Sequence, residues 1–123
     1  MKKVIFVLFF ILYSHSLQAN YHISDTTLKR GRQLFMGGDI AYRIPACASC
    51  HGPDGARNSE AHIARIAGQP TAYLIQQLKA FRNASRKSTH QGVMNDVALQ
   101  LSDADIEALA NYLTGLHNSG IIK

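Results

Sequence analysis

Cysteine is scarce in this chain: there are two in 123 residues, Cys47 and Cys50. A disulfide between them would close a very small loop and contribute little. A second Cys/His pair is also missing, so a zinc site, which usually takes four protein ligands, would have to recruit isolated histidines such as His62 or His90. No β-rich pattern precedes the cysteines, which argues against a thioredoxin-like redox pair set between strand and helix. Internal repeats, low-complexity tracts and convincing strand patterns are absent, so the domain should be all-α. No apolar run approaches the ~20 residues that a membrane-spanning helix needs. Acidic residues are few, 8 against 13 basic ones, for a formal net charge of +5. The basic residues are scattered, however. Their only clusters are Lys29-Arg30-Gly31-Arg32 and the segment from Arg82 to Lys87, and both read as solvated helix surface. A nucleic-acid partner is therefore not expected.

The first residues present a different pattern. Lys2 and Lys3 precede an unbroken apolar run from Val4 to Tyr13, and small or polar residues follow to Ala19. This is the arrangement of a secretory signal peptide over 1–19, with cleavage after Ala19 or after Ser16, and it predicts export. An uncleaved anchor is the runner-up, but the run is short for a span and no stable membrane insertion is expected. Residues 20–123 then form a single domain. Losing Lys2 and Lys3 lowers the formal net charge to +3.

Within that domain the spacing predicts three helices around a loop-rich middle. Asp25 or Thr26 can cap a first helix running to about Phe35, with Leu28, Gly31, Leu34 and Phe35 on one face and Gly37-Gly38 as its stop. A glycine inside a helix costs about 1 kcal/mol against alanine, so Gly31 suggests close approach by another backbone. Pro70 opens a second helix, striped by Leu74, Leu78 and Phe81 and ending near Arg86. Residues 87–101 read as loop. Ser102-Asp103-Ala104-Asp105 has the form of a capping box and opens a last helix carrying Ile106, Leu109, Ala110, Leu113 and Leu116. Residues 57–69 make a polar loop long enough to suggest that it wraps something.

The string Cys47-Ala48-Ser49-Cys50-His51 says what that something is. Cys-x-x-Cys-His is the attachment sequence of c-type haem. Two thiols three positions apart on a helical turn point to the same side. Each can form a thioether to a haem vinyl group, while His51 is carried under the iron as proximal ligand. One covalent haem c is thus the expected cofactor, and its propionates would bring the net charge close to neutral. The iron then needs a distal ligand or an open position. Met94, His62, His90 and His117 are the available side chains, with Met94 preferred as a methionine in a loop between two helices and His90 next. Met/His ligation raises the reduction potential and fills both axial positions, which favours electron transfer over catalysis.

These residues resemble the class I cytochromes c of the bacterial cytochrome c4 and c553 type, over nearly all of the exported segment. Gly31 with Phe35, and Leu109 with Tyr112, look like the family's paired positions on its first and last helices. Ile44-Pro45-Ala46, Gly52-Pro53-Asp54-Gly55, Ile66-Ala67-Gly68-Gln69, Tyr73-Leu74, Gln77-Leu78, Phe81-Arg82, Met94 and Val97-Ala98 follow the family's order. The resemblance implies a fold in which the N- and C-terminal helices cross and loops wrap one haem. Two positions depart. Ala64 stands where the family usually has a proline whose carbonyl accepts the proximal histidine's Nδ1–H, which implies a looser support for His51. Ala84 stands where glycine is frequent. Arg86 resembles a basic residue that can face a haem propionate. The implied function is a periplasmic one-electron carrier, not an enzyme, probed by redox partners such as a quinol–cytochrome c reductase on one side and a terminal oxidase or other reductase on the other. It is expected as a monomer or weak dimer. Alternatives are a cytochrome subunit bound tightly to a dehydrogenase or oxidase, a haem sensor of small ligands, and a helical metal-binding module without haem.

Overall fold

A computed structural model describes residues 23–57 and 63–116. The predicted leader, His62 and His117 lie outside them. Five α-helices occur in the described residues: α1 (Asp25–Gly37), α2 (Ala48–His51), α3 (Thr71–Arg82), α4 (Val93–Leu99) and α5 (Asp103–Leu116). A 3-10 turn spans Ile40–Tyr42, and an isolated antiparallel bridge joins Asp39 to Ile44; there is no strand among the described residues.

Ser24, rather than Asp25 or Thr26, caps α1. Its Oγ accepts the Thr27 N–H at 3.2 Å, while Asp25 lies inside the first turn, where its charge suits the helix dipole. The buried face is Gly31, Leu34 and Phe35, with Leu28 at its edge and partly exposed. At α5 the capping box is reciprocal: Ser102 Oγ accepts the Asp105 N–H at 3.1 Å, and Asp105 Oδ2 accepts the Ser102 N–H at 3.2 Å. Aspartate is long enough to do what glutamate usually does. From there Ile106, Leu109, Ala110, Leu113 and Leu116 are buried along one stripe.

Helices α1 and α5 pack on each other across Gly31. A Cβ built on Gly31 would lie 2.2 Å from the Ala108 carbonyl oxygen and 2.7 Å from Tyr112 Cβ, so only hydrogen fits. One turn on, the rings of Phe35 and Tyr112 are 5.7 Å apart and tilted by 47°. Arg30 pins the crossing from the side. Its Nη1 donates to Asp39 at 2.8 Å and its Nε to Asp105 at 2.9 Å, tying α1 to the loop after it and to the start of α5.

Helix α3 ends at Arg82, four residues before the expected stop, with Pro70 at the cap rather than within the first turn. The reason lies in 83–85. Asn83 Oδ1 accepts the Ser85 N–H at 3.0 Å, and Ala84 has φ +62°. The left-handed conformation cannot continue a helix and costs a residue with a Cβ about 1–2 kcal/mol. The segment expected to be loop contains α4. With seven residues it is too short to declare a 3.6-residue stripe, and Gly92, which reads as a breaker, is instead its left-handed cap at φ +78°.

Candidate functional site

The haem-attachment motif forms the short helix α2. The N–H of His51 donates to the Cys47 carbonyl at 2.9 Å, which places His51 one turn beyond Cys47. Cys47 is partly buried and Cys50 exposed. Burial pushes the Cys47 thiol up to about 11.

The following loop doubles back to support His51. Asp54 Oδ1 accepts the Ala56 N–H at 3.0 Å, and the Gly55 carbonyl accepts the N–H groups of Ile66 and Ala67 at 2.9 and 3.0 Å. Gly68 N–H donates to the Leu113 carbonyl at 2.9 Å, anchoring the segment on α5. This brings the Ala64 carbonyl to 2.8 Å from His51 Nδ1. A carbonyl only accepts, so Nδ1 carries the proton and Nε2 keeps its lone pair for a metal. Burial lowers the His51 pKa, partly offset by the hydrogen bond to Ala64, and so favours the neutral imidazole that a metal requires. The bond expected from a proline carbonyl is therefore made by alanine.

Cys47, Cys50, His51, Met94 and Arg86 all line one cleft of about 300 Å³. Its walls are largely apolar, with Ile66, Leu74, Leu78, Phe81, Val97 and Leu109 among them. Helices α2 and α4 do not pack on one another: α2 rests on α1, and α4 rests on α3. The motif and Met94 thus reach the cleft from separate elements. Met94 belongs to the first turn of α4 and not to a loop. His90, the alternative ligand, is exposed and does not line the cleft. The Arg86 guanidinium donates to Gln77 Oε1 and lies over the Phe81 ring, 4.5 Å from its centroid. Sequence reasoning missed Asn95, whose side chain joins the loop before α4 to the end of α3 through three hydrogen bonds. Nothing but its place beside Met94 could have singled it out.

A second depression, of about 320 Å³ beside Arg30, Tyr42 and Asp105, holds charges already spent on ion pairs. Among the described residues no three His, Cys, Asp or Glu side chains gather as a metal cage. A bare ion would find too few donors here. An iron that brings four porphyrin nitrogens needs only two more, and the cleft offers one imidazole and one thioether beside two thiols. The donor set and the apolar walls fit a haem.

The family profile described as Cytochrome c matches residues 28–117. The chain belongs to the cytochrome c family. It is a class I, cytochrome c4-like domain, all-α as expected, and its cofactor is covalently bound c-type haem. It is 40% identical over 109 residues to cytochrome c4 of Stutzerimonas stutzeri, covering 85% of this chain and 51% of that one. A thiosulfate dehydrogenase electron acceptor of Thiomonas intermedia (strain K12) is 40% identical over 83 residues, covering 68% of this chain and 38% of its own length. The crystal structure of reduced recombinant cytochrome c4 from Pseudomonas stutzeri superposes with a TM-score of 0.72 at 39% identity, over 78% of this chain and 51% of that chain. The chain therefore spans about half the length of the cytochrome c4 relatives it matches. No helix of the described residues is long and apolar enough to cross a membrane.

Proposed function

We propose that this cytochrome c domain is a periplasmic one-electron carrier and not an enzyme, exported by cleavage of residues 1–19. In this reading Cys47 and Cys50 carry the thioethers, His51 is the proximal ligand, Met94 is the distal ligand and Arg86 faces a propionate. One observation carries it: the motif and Met94 reach the same apolar cleft from two elements that do not touch. When bound, the haem supplies the one-electron couple. The chain's residues do the rest. Ala64 holds His51 in the tautomer that leaves Nε2 available, and the apolar walls exclude water. Were His51 and Met94 both to hold the iron, no coordination position would be left for a substrate, and such a ligand pair would favour a raised potential.

A transient redox encounter needs only a small interface, under ~1,200 Å². A quinol–cytochrome c reductase or a dehydrogenase can act as donor, and a terminal oxidase or other reductase as acceptor. The relative named as a thiosulfate dehydrogenase electron acceptor supports a dehydrogenase donor and keeps a tightly bound subunit as the second reading. The test starts with protein matured in a haem-attaching host: visible spectra in both oxidation states, a pyridine haemochrome and an intact mass. A covalent haem, a free monomer on size exclusion and no rapid binding of carbon monoxide by the reduced form support the carrier. Met94→His should keep the haem and lower the potential. A potential unmoved by that change removes Met94 from the iron, and co-elution with a dehydrogenase replaces the free carrier by the bound subunit.

A further inference from the structure

We propose that Asn95 is a positioning residue for Met94, latching the start of α4 so that the thioether is held ready for the iron. The inference rests on Met94 being the distal ligand. Asn95 Nδ2 donates to the Phe81 carbonyl at 2.8 Å and to the Arg86 carbonyl at 2.8 Å, and its Oδ1 accepts the Ser88 N–H at 2.9 Å. Two acceptors and one donor allow a single amide orientation. Phe81 is in the last turn of α3, and its carbonyl accepts the Ala84 N–H at 3.2 Å as well as the Asn95 amide. Phe81 and Arg86 also line the cleft, so this amide ties the cleft's α3 side to the residue next to Met94.

Met94 needs such a tether because of where it stands. It is the second residue of a seven-residue helix, entered through Gln91 at φ +48° and Gly92 at φ +78°. A short helix leaving a kinked entry has little stiffness of its own. A neutral thioether is also a weak ligand, so its hold on a metal falls with the fraction of time its backbone spends elsewhere. Each hydrogen bond of the latch keeps that fraction small.

Asn95→Asp tests this at constant shape. The new carboxylate still accepts from Ser88 but cannot donate to Phe81 or Arg86, and it sets negative oxygen against both carbonyls. Asn95→Ala removes the latch without adding charge. Asn83→Ala, which deletes a hydrogen bond within the same α3–α4 connection, is the control. On haem-loaded protein the readouts are the sulfur-to-iron charge-transfer band of the ferric form, the reduction potential and the affinity for imidazole, with far-UV circular dichroism reporting the fold. The expected result is unchanged helicity in both Asn95 variants, a band lost at lower temperature than the helices, a lower potential, and imidazole binding tighter by about tenfold, the scale of one or two lost hydrogen bonds. Asn83→Ala should leave all of these as they are. Wild-type band stability and imidazole affinity in Asn95→Asp overturn the proposal. So does an equal response in Asn83→Ala, and so does loss of haem attachment or helicity in both Asn95 variants, which would mark a general folding role. A charge-transfer band that survives Met94→His removes the ligand assignment itself, a result separate from any of these.

Discussion

Gly31→Ala isolates the contact on which the fold turns. Judged on local propensity the change is favourable, because alanine in a helix interior is better than glycine by about 1 kcal/mol. The packing reverses the sign. The new methyl would sit 2.2 Å from the Ala108 carbonyl oxygen and 2.7 Å from Tyr112 Cβ, where carbon atoms essentially never approach within 3.0 Å. Neither obstacle is the tip of a flexible side chain, so α1 and α5 must separate by nearly 1 Å along the crossing. That separation loosens Leu34 and Phe35, which are fully buried against the α5 face. Overpacking costs about 1–3 kcal/mol in general, and a rigid backbone obstacle belongs at the upper end. Subtracting the propensity gain leaves a net loss of about 2 kcal/mol, or roughly 8–16 °C in Tm for a domain of this size. The assay is urea and thermal unfolding of the haem-loaded protein, followed by far-UV circular dichroism. Gly115→Ala is the matched control on α5: it also lies in a helix, but its Cβ would meet nothing within 4 Å, so it should stabilise by up to about 1 kcal/mol. Equal shifts of the same sign in the two variants would refute the argument that the crossing, and not helix propensity, sets the requirement at Gly31.

Three further outcomes follow from local geometry. Ala84→Gly should stabilise the fold by up to about 1 kcal/mol, read as a higher urea midpoint, since glycine relieves the left-handed strain at φ +62° while losing more entropy on folding; a lower midpoint would show that the Cβ is not strained. Burial alone would raise the Asp105 pKa, but hydrogen bonds from Ser102 and Arg30 outweigh it and hold the carboxyl below its ordinary value. The stability contributed by that depressed pKa is therefore complete above about pH 4 and is lost as pH falls through the folded-state value, so Asp105→Asn should flatten the acid limb of an unfolding-versus-pH series. Ala64→Pro should slow exchange of the His51 Nδ1 proton seen by NMR in the haem-loaded protein, because a stiffer residue carries the accepting carbonyl; an unchanged rate would show that the alanine loop is already rigid.

What the sequence determined by itself is the chemistry and the family of folds. Cys47, Cys50 and His51 lie within one turn, so their relation is set by covalent connectivity and needs no tertiary knowledge. The stripe of α5 and the Ser102–Asp105 box were legible because periodicity and capping are local, and Gly31 announced a close contact because nothing local rewards a glycine there. The tertiary structure decided what depends on distant partners. It ended α3 at Arg82, made a helix of Val93–Leu99, and gave Ala64 the role of orienting His51 from thirteen residues away. It also chose between Met94 and His90 as the side chain that lines the cleft, and it enlisted Asn95. Short helices and loop hydrogen bonds carry too few residues to write a pattern, since their stability comes from the surfaces against which they settle.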